Sequence, residues 1–438
     1  MISPQRRREV IDALRRGTVP QQGLDALAVG LDRIAPAIDE ELRFVATGSA
    51  GFKAIRGEYG AGKTFAVRWL AERARRAGFA TSEVQISEGE TPLHHLETVY
   101  RRLVERLATA EVPSGALRSI IDGWFFGLEQ EVLEAGTVRE DDQAGLLAAS
   151  AELAEQRLSE VARTAPAFAA ALRHYRLAAA NGDSATAEGL LAWVGGQPHV
   201  AAGVKRGAGI KGDLDHDGAL AFLSGLCVVL RDAGYSGLVV VLDEVETLQR
   251  VRSDARDRAL NALRQLIDEI DAGRFPGLYL VITGTPAFFD GPQGASRLPP
   301  LAQRLHTDFT AEARFDNPRA VQVRLPGFTI DSLCEVGVRT RDLFVEGVET
   351  GSRERLLHHV DDSYVRILAT AVTGDLGNKV GVAPRVFLKK LVGDVLDRVD
   401  QFADFDPRLH YKLTLADSEL TEVERNARAA TSVDDIDL

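Results

Sequence analysis

The eight residues Gly-Glu-Tyr-Gly-Ala-Gly-Lys-Thr at positions 57–64 constrain the fold of this chain more than any other stretch. They match the spacing G-x-x-x-x-G-K-[ST] without a gap. A strand-like segment, 51–55, precedes them and a helix-like segment, 66–76, follows them. Successive backbone N–H groups in such a turn form a concave anion site, and the helix N-terminus adds its dipole. The stretch therefore predicts a loop that binds a nucleoside triphosphate.

Individual residues of this loop have distinct chemical tasks. Lys63 should reach the β- and γ-phosphates, and the Thr64 hydroxyl should complete the coordination shell of Mg²⁺. The predicted nucleotide-binding residues are Gly57, Glu58, Tyr59, Gly60, Ala61, Gly62, Lys63, Thr64 and Phe65.

Short β-branched runs alternate with helical stretches along the chain, which is typical of parallel βαβ units. The candidate strands are 51–55, 81–87, 237–244, 277–284 and 320–326. Two of them contain the runs LVVVL and LYLVI, which are almost wholly apolar, as expected for central strands covered on both faces. We predict an α/β fold whose core is a parallel sheet flanked by helices.

The rest of the chain is predicted to be mostly helical. About 150 residues separate the second and third candidate strands, too many for one crossover, so we assign roughly 112–212 to a helical insertion. Residues 1–50 are predicted to be an N-terminal helical segment, 51–327 the ATPase core, and 328–415 a C-terminal helical lid domain. The last stretch, 416–438, has seven acidic and two basic residues, a composition typical of a disordered tail.

An acidic pair, Asp243 and Glu244, follows the apolar run of the third candidate strand. Ligands bind at the carboxyl ends of strands in open α/β sheets. We expect Asp243 to hold Mg²⁺ and Glu244 to polarise an attacking water, which favours an ATPase over a small-molecule kinase. A helix N-cap for Asp243 and a surface position for Glu244 are the structural alternatives. Thr283, at the end of the next strand, is the candidate for hydrogen bonding to the γ-phosphate or the water, and a turn cap is its alternative.

Two arginines are candidates for stabilising the charge of the transition state. Arg304 lies just before the last strand, where ring-forming ATPases commonly present an arginine to the neighbouring subunit. Its rivals in the same region are Arg297, Arg314 and Arg319. Arg385 is predicted in the first turn of a helix, beside Pro384, where it could fold over the nucleotide from a lid. A surface ion pair is the alternative for Arg385.

Composition limits the compartment and the partners. No apolar run approaches the roughly 18 to 20 residues of a membrane span, and neither cysteine belongs to a CxxC pair. The formal net charge of −12 argues against broad coating of nucleic acid, although a local basic face is compatible with it. We expect a cytoplasmic protein with no membrane partner.

Several stretches of the sequence, taken in their order along the chain, resemble the AAA+ class of P-loop ATPases. More closely, the chain is similar to the BrxC/BrxD family of ATP-binding proteins from BREX phage-defence systems, and in particular to the shorter BrxD type. The phosphate-binding motifs are generic, so the specific evidence for this resemblance is the sequences LHHLETVY and DEVETLQR. The stretches that carry the resemblance are 14–30, 55–70, 83–104, 237–268, 282–290 and 383–392.

The resemblance implies an ATPase that works as a homo-oligomer beside other phage-defence proteins, with double-stranded DNA as a further candidate partner. It also implies that Val19 and Pro20 belong to an adenine pocket. Two alternatives to a hydrolysing enzyme stay open. One is a nucleotide-gated DNA clamp or loader similar to replication initiators, and the other is a nucleotide-dependent scaffold that does not hydrolyse ATP.

Overall fold

A five-stranded, all-parallel sheet organises the chain in the computed structural model, which describes residues 2–375, 384–421 and 424–425. The spatial order is β2-β3-β4-β1-β5. The strands are β1 (Gly51–Arg56), β2 (Ala80–Gln85), β3 (Leu238–Asp243), β4 (Leu278–Gly284) and β5 (Gln322–Arg324). Every neighbouring pair is parallel, so the predicted α/β fold with a parallel sheet is confirmed.

Helices cover both faces of this sheet and extend beyond it. The α-helices of the described residues are α1 (Pro4–Arg16), α2 (Ala35–Ala46), α3 (Lys63–Arg76), α4 (Leu96–Glu105), α5 (Leu117–Glu134), α6 (Gln143–Arg157), α7 (Ser159–Thr164), α8 (Pro166–Ala180), α9 (Ser184–Val194), α10 (Ala202–Gly207), α11 (His216–Asp232), α12 (Ser253–Asp271), α13 (Pro286–Asp290), α14 (Pro299–Leu305), α15 (Ile330–Val345), α16 (Thr350–His359), α17 (Asp362–Asp375), α18 (Pro384–Lys389), α19 (Asp397–Gln401) and α20 (Pro407–His410). A π-helical segment, Lys390–Leu396, joins α18 to α19.

The two central strands are buried along their whole length because both of their faces are covered. Side chains alternate between the faces of a strand. Val239 and Val241 pack into the hydrophobic cluster formed with α2 and α3. Leu238, Val240 and Leu242 pack into the cluster formed with α4, α11 and α12. This two-sided burial explains why β3 is a continuous apolar run rather than an alternating one.

Six helices, α5–α10, lie between α4 and α11 in the chain. Their apolar side chains belong to the same cluster as α4, α11 and α12. Trp124 and Phe168 are among their fully buried side chains. The Trp124 indole Nε1 donates a 2.7 Å hydrogen bond to Asp232 Oδ2 at the end of α11. The helices of this region are therefore continuous with the core of the sheet.

The first helix, α1, packs with the C-terminal helices rather than with the sheet. Val10, Ile11 and Leu14 share a hydrophobic cluster with residues of α15–α18 and the π-helical segment. We call α1 together with α15–α20 the C-terminal helical unit. Gly17 ends α1 in the left-handed conformation, at φ 71°.

Part of the acidic stretch after residue 415 is also described. It contains a short 3₁₀ turn, Asp417–Glu419, and Leu420 is buried in the cluster of the C-terminal helical unit. The rest of the predicted tail, 422–423 and 426–438, lies outside the described residues. No helix among the described residues is both long and apolar enough to cross a membrane.

Candidate active site

The glycine-rich loop connects β1 to α3 at the carboxyl edge of the sheet. Gly60 and Gly62 have φ angles of 79° and 86°, a left-handed conformation that favours glycine. Gly62 is also the N-cap of α3, and no side chain caps that helix end. A Cβ on Gly57 would lie 3.2 Å from the Ala61 Cβ, so the loop closes tightly on itself. The free amide groups at this helix end are available to bind an anion.

Lys63 is buried at the first position of α3 and is held by the loop itself. Its Nζ donates hydrogen bonds to the carbonyl oxygens of Gly57 at 3.0 Å and of Glu58 at 3.4 Å. The ammonium also lies 5.1 Å from the centroid of the Tyr59 ring. A carboxylate oxygen of Glu246 lies 3.4 Å from Nζ. The lysine is therefore fixed beside the amides of the loop, with the Glu246 carboxylate as its counter-ion.

Glu246 was not recognised from the sequence as a site residue. Its side chain is only 4% exposed, and its Oε2 has no hydrogen-bond partner within the described residues. Burial raises the pKa of Glu246, and the nearby Lys63 ammonium opposes that shift. The signal in the sequence was a second acid two positions after Glu244, directly behind the apolar strand.

A chain of hydrogen bonds joins the loop to the ends of β3 and β4. The Thr64 hydroxyl Oγ1 donates to Asp243 Oδ2 at 2.9 Å. The Thr283 hydroxyl donates to Asp243 Oδ1 and accepts from the Glu244 amide N–H at 3.0 Å. Thr283 is fully buried, so in this structure its hydroxyl orients Asp243.

Glu244 adopts a left-handed backbone conformation, with φ 61° and ψ 42°, which is uncommon for a residue other than glycine. Such strain is found mainly where the surrounding structure needs it, often at functional sites. The Gln85 side-chain amide, at the end of β2, donates a 2.9 Å hydrogen bond to Glu244 Oε2. Gln85 was also missed from the sequence, where it is one polar residue at the end of a strand.

A cavity of about 420 Å³ lies beside the glycine-rich loop, Glu244 and Glu246. The predicted site residues among its lining are Val19, Pro20, Tyr59, Gly60, Ala61, Gly62, Lys63, Thr64, Phe65, Glu244 and Arg385. Apolar side chains form another part of the wall, including Leu14, Leu27, Val29, Val336 and Leu388. Gly57, Glu58, Asp243, Thr283 and Arg304 are outside this lining. The cavity thus joins an anion-binding loop to an apolar compartment.

Helix α3 also holds the N-terminal wall of the cavity in place. Arg68 pairs with Glu83 through its Nε and Nη2, and its Nη1 donates a 2.9 Å hydrogen bond to the Val19 carbonyl oxygen. The buried carboxylate of Glu72 accepts hydrogen bonds of 2.9 Å from the amides of Gly23 and Leu24. The helix that follows the glycine-rich loop therefore positions the segment that contains Val19 and Pro20.

The candidate arginines are all engaged in ion pairs within the chain. Arg385 forms a bidentate ion pair with Glu424 at the wall of the cavity. Arg304 pairs with Asp268 and donates a 2.8 Å hydrogen bond to the Pro300 carbonyl oxygen. The rivals Arg297, Arg314 and Arg319 pair with Asp257, Glu312 and Glu40.

The oxygens of Thr64 and Asp243 fit the protein share of a Mg²⁺ site, because this ion takes one or two protein oxygens together with water and phosphate. Within residues 2–375, 384–421 and 424–425, no group of three or more His, Cys, Asp or Glu side chains could hold a metal ion. The donor set at the loop is therefore suited to a metal that arrives with a nucleotide.

The fold and the site together define a class of protein. A parallel sheet, an anion-binding loop between its first strand and a helix, and an acidic strand end beside that loop are typical of nucleotide-binding proteins with a P-loop-like α/β core. The family model described as "BREX system ATP-binding protein BrxC/D" matches residues 2–415. The chain therefore belongs to the BrxC/BrxD family. No curated protein matches it.

Proposed function

We propose that this protein is a Mg²⁺-dependent ATPase of a BREX-type phage-defence system, with an AAA+-like core and a C-terminal lid. The strand order β2-β3-β4-β1-β5 supports this proposal, because it sets β3 beside β4 and β4 beside β1. The loop after β1, the acids after β3 and Thr283 at the end of β4 then meet at one edge. Within the family, the shorter BrxD type is the one proposed here.

The observation that carries the proposal is the 2.9 Å hydrogen bond between Thr64 Oγ1 and Asp243 Oδ2. A hydroxyl from the first turn of α3 and a carboxylate from the end of β3 converge there. Thr64 and Asp243 would supply the protein oxygens for Mg²⁺, and the ion would neutralise negative charge on the phosphates. Lys63 and the amides of the loop would bind the phosphates, and the pocket beside Val19 and Pro20 would hold the adenine.

Glu244 is the proposed general base, since it follows Asp243 and lines the cavity. Thr283 is proposed to keep Asp243 and the Glu244 amide in register, and a polar contact with the γ-phosphate stays a prediction. Arg385 is the proposed lid arginine. Arg304, which lies outside the cavity lining, is proposed to act on the active site of a neighbouring subunit.

The proposed oligomer, the other defence proteins and double-stranded DNA are the expected partners in the cytoplasm. ATP binding and hydrolysis would control these interactions. The proposed units are an N-terminal segment (1–50), an ATPase core (51–327) with a helical insertion (112–212), a lid (328–415) and an acidic tail (416–438).

A nucleotide-dependent scaffold is a second candidate, favoured by one observation. The Glu244 carboxylate is engaged by Gln85, so the proposed base is not free in this conformation. In a scaffold, bound ATP would persist without turnover.

The rate of phosphate release, measured against protein concentration with and without double-stranded DNA, tests the proposal. An ATPase that assembles should show Mg²⁺-dependent specific activity that rises with protein concentration or with DNA, and Glu244→Gln should abolish it. Bound ATP with no turnover would favour the scaffold. Equal phosphate release by wild type and Glu244→Gln would contradict the assigned base.

A further inference from the structure

One edge of the C-terminal helical unit carries three cations, Arg385, Lys389 and Lys390, which we call the basic edge. Their spacing places them on adjacent turns of α18 and the π-helical segment. Residues 417–421 with Glu424 and Arg425, called the acidic segment, lie against this edge. The contact joins positions about thirty to forty residues apart, so it is tertiary and not a local helix pair.

Glu419 anchors the acidic segment. Its carboxylate accepts hydrogen bonds from Lys390 at 2.9 and 3.1 Å and from Lys389 at 3.3 Å. Burial would raise the pKa of Glu419, but hydrogen bonds from Lys390 and the Ala416 amide outweigh it and lower that pKa. The carboxylate is therefore charged at neutral pH, and the anchor is ionic.

Glu424 joins the acidic segment to Arg385 at the wall of the cavity. Arg385 Nε donates to its Oε1 at 2.9 Å, and Nη2 donates to its Oε2. The Thr421 amide adds a 2.6 Å hydrogen bond to the same Oε2. The Glu424 side chain is only 5% exposed, which is unusual for a carboxylate and requires full pairing.

This buried ion pair lies on the wall of the nucleotide cavity. Arg385, Thr421 and Glu424 line the same cavity as Lys63 and Thr64. A carboxylate and a phosphate oxygen satisfy a guanidinium in the same bidentate way. A triphosphate that enters the cavity therefore meets an arginine whose hydrogen-bonding edge is already occupied by the Glu424 carboxylate.

We propose that the basic edge is a binding site for an acidic peptide, that its resident ligand is the chain's own acidic segment, and that Glu424 competes with the nucleotide phosphates for Arg385. This inference rests on the proposed function, because it takes the cavity to be the ATP site. Release of the acidic segment is then coupled to nucleotide binding, and each ligand weakens the other by the same factor.

Equilibrium binding of Mg²⁺ with a non-hydrolysable ATP analogue, measured by titration calorimetry on the full chain, tests the competition. Glu424→Gln removes the charge and keeps the side-chain volume, so we expect the Kd to fall by about tenfold, the scale of one charged hydrogen bond. In a protein that already carries Arg385→Ala, Glu424→Gln should leave the Kd unchanged, because the guanidinium for which the carboxylate and the phosphates compete is absent. Glu354→Gln removes an exposed carboxylate from α16 of the same unit and is the matched control with an unchanged Kd.

A second measurement needs no variant. Two amides of the acidic segment, those of Glu419 and Leu420, donate hydrogen bonds to the carbonyl oxygens of Ala416 and Asp417. Their protection from hydrogen exchange should fall when the wild-type protein is saturated with the analogue. Unchanged or increased protection would mean that the nucleotide and the acidic segment bind together, which would overturn the proposal.

These experiments distinguish failure of the competition from failure of the ATP site. Equal analogue affinity in wild type and Glu424→Gln would overturn the competition and leave the ATP site intact. Tightening that persists in the Arg385→Ala background would overturn the role of this ion pair. No analogue binding by wild type or by either variant would contradict the proposed function, and this inference with it.

Discussion

The Thr64 hydroxyl donates a 2.9 Å hydrogen bond to Asp243, a residue 179 positions later in the chain. This contact joins the first turn of α3 to the carboxyl end of β3. With one hydroxyl and one carboxylate in contact, these two separate stretches of sequence would together hold the proposed Mg²⁺–nucleotide complex.

Loss of the Thr64 hydroxyl should uncouple the loop from the metal. Thr64→Val keeps the shape of the side chain and removes the donor to Asp243. We expect the rate of Mg²⁺-dependent ATP hydrolysis to fall by about tenfold or more, equivalent to about 1.4 kcal/mol. Thr64→Ser restores the hydroxyl and should recover most of the rate. Magnesium titrations of the two variants give the comparison, and identical titration curves would count against this metal site.

Glu246 should oppose the binding of nucleotide. It is the carboxylate partner of Lys63, so incoming phosphates must share that ammonium with a buried negative charge. We expect Glu246→Gln to lower the Kd of both ATP and ADP by roughly three- to tenfold, about 0.6–1.4 kcal/mol. Glu90→Gln, at an exposed position in the loop after β2, is the charge-matched control. Weaker binding by Glu246→Gln would show that the carboxylate supports the site instead.

Arg304 should act between subunits. Arg304→Ala should bind ATP with nearly the wild-type Kd and hydrolyse it at least about a hundredfold more slowly, as expected for an arginine finger. Lys63→Ala has the complementary defect, since it retains Arg304 and loses its own site. A mixture of the two variants should therefore recover activity that neither shows alone. A mixture that recovers no activity would contradict this role of Arg304. Arg297, Arg314 and Arg319 would then be tested in the same way.

Asp361 links the stability of the C-terminal helical unit to pH. Its carboxylate precedes α17 and accepts hydrogen bonds from Ser363, the Tyr364 amide and Arg408, which lower its pKa from 3.8 to about 2. A carboxylate whose pKa is depressed by folding stabilises the protein above its unfolded value, and the stabilisation is lost as pH falls through the folded value.

We therefore expect Asp361→Asn to lower the free energy of unfolding at pH 7 by about 1 kcal/mol, the usual scale for a helix N-cap. The difference from wild type should shrink as pH falls from 3.8 toward about 2. Thermal unfolding across this range measures it, with Asp331→Asn as an exposed control in the same unit. A difference that does not change with pH would argue against the charge as its source.

The parallel sheet could be predicted from the sequence because each central strand contains a recognisable apolar run. The two apolar runs in β3 and β4 predicted burial on both faces, and both strands are fully buried. The fifth strand was expected over 320–326 and is shorter, Gln322–Arg324. Among the described strands it pairs with β1 alone, so its length depends on an edge contact that its own residues do not specify.

The residues missed at the site depend on contacts between distant segments. Gln85 and Glu246 are ordinary polar residues in their local context, and only the sheet brings them to Glu244 and Lys63. The acidic composition after residue 415 likewise does not show that Glu424 is buried against Arg385. Composition reports average solvation, whereas a buried ion pair depends on one partner elsewhere in the chain.

The proposed function requires that a nucleoside triphosphate binds at the loop before α3. Equilibrium binding of Mg²⁺–ATP to wild type, Lys63→Ala and Glu244→Gln tests this claim most directly. We predict that Lys63→Ala loses binding, while Glu244→Gln binds at least as tightly as wild type and retains unhydrolysed ATP. Equal binding of ATP by all three proteins, with equal turnover, would contradict the account, because the nucleotide would then occupy another part of the molecule.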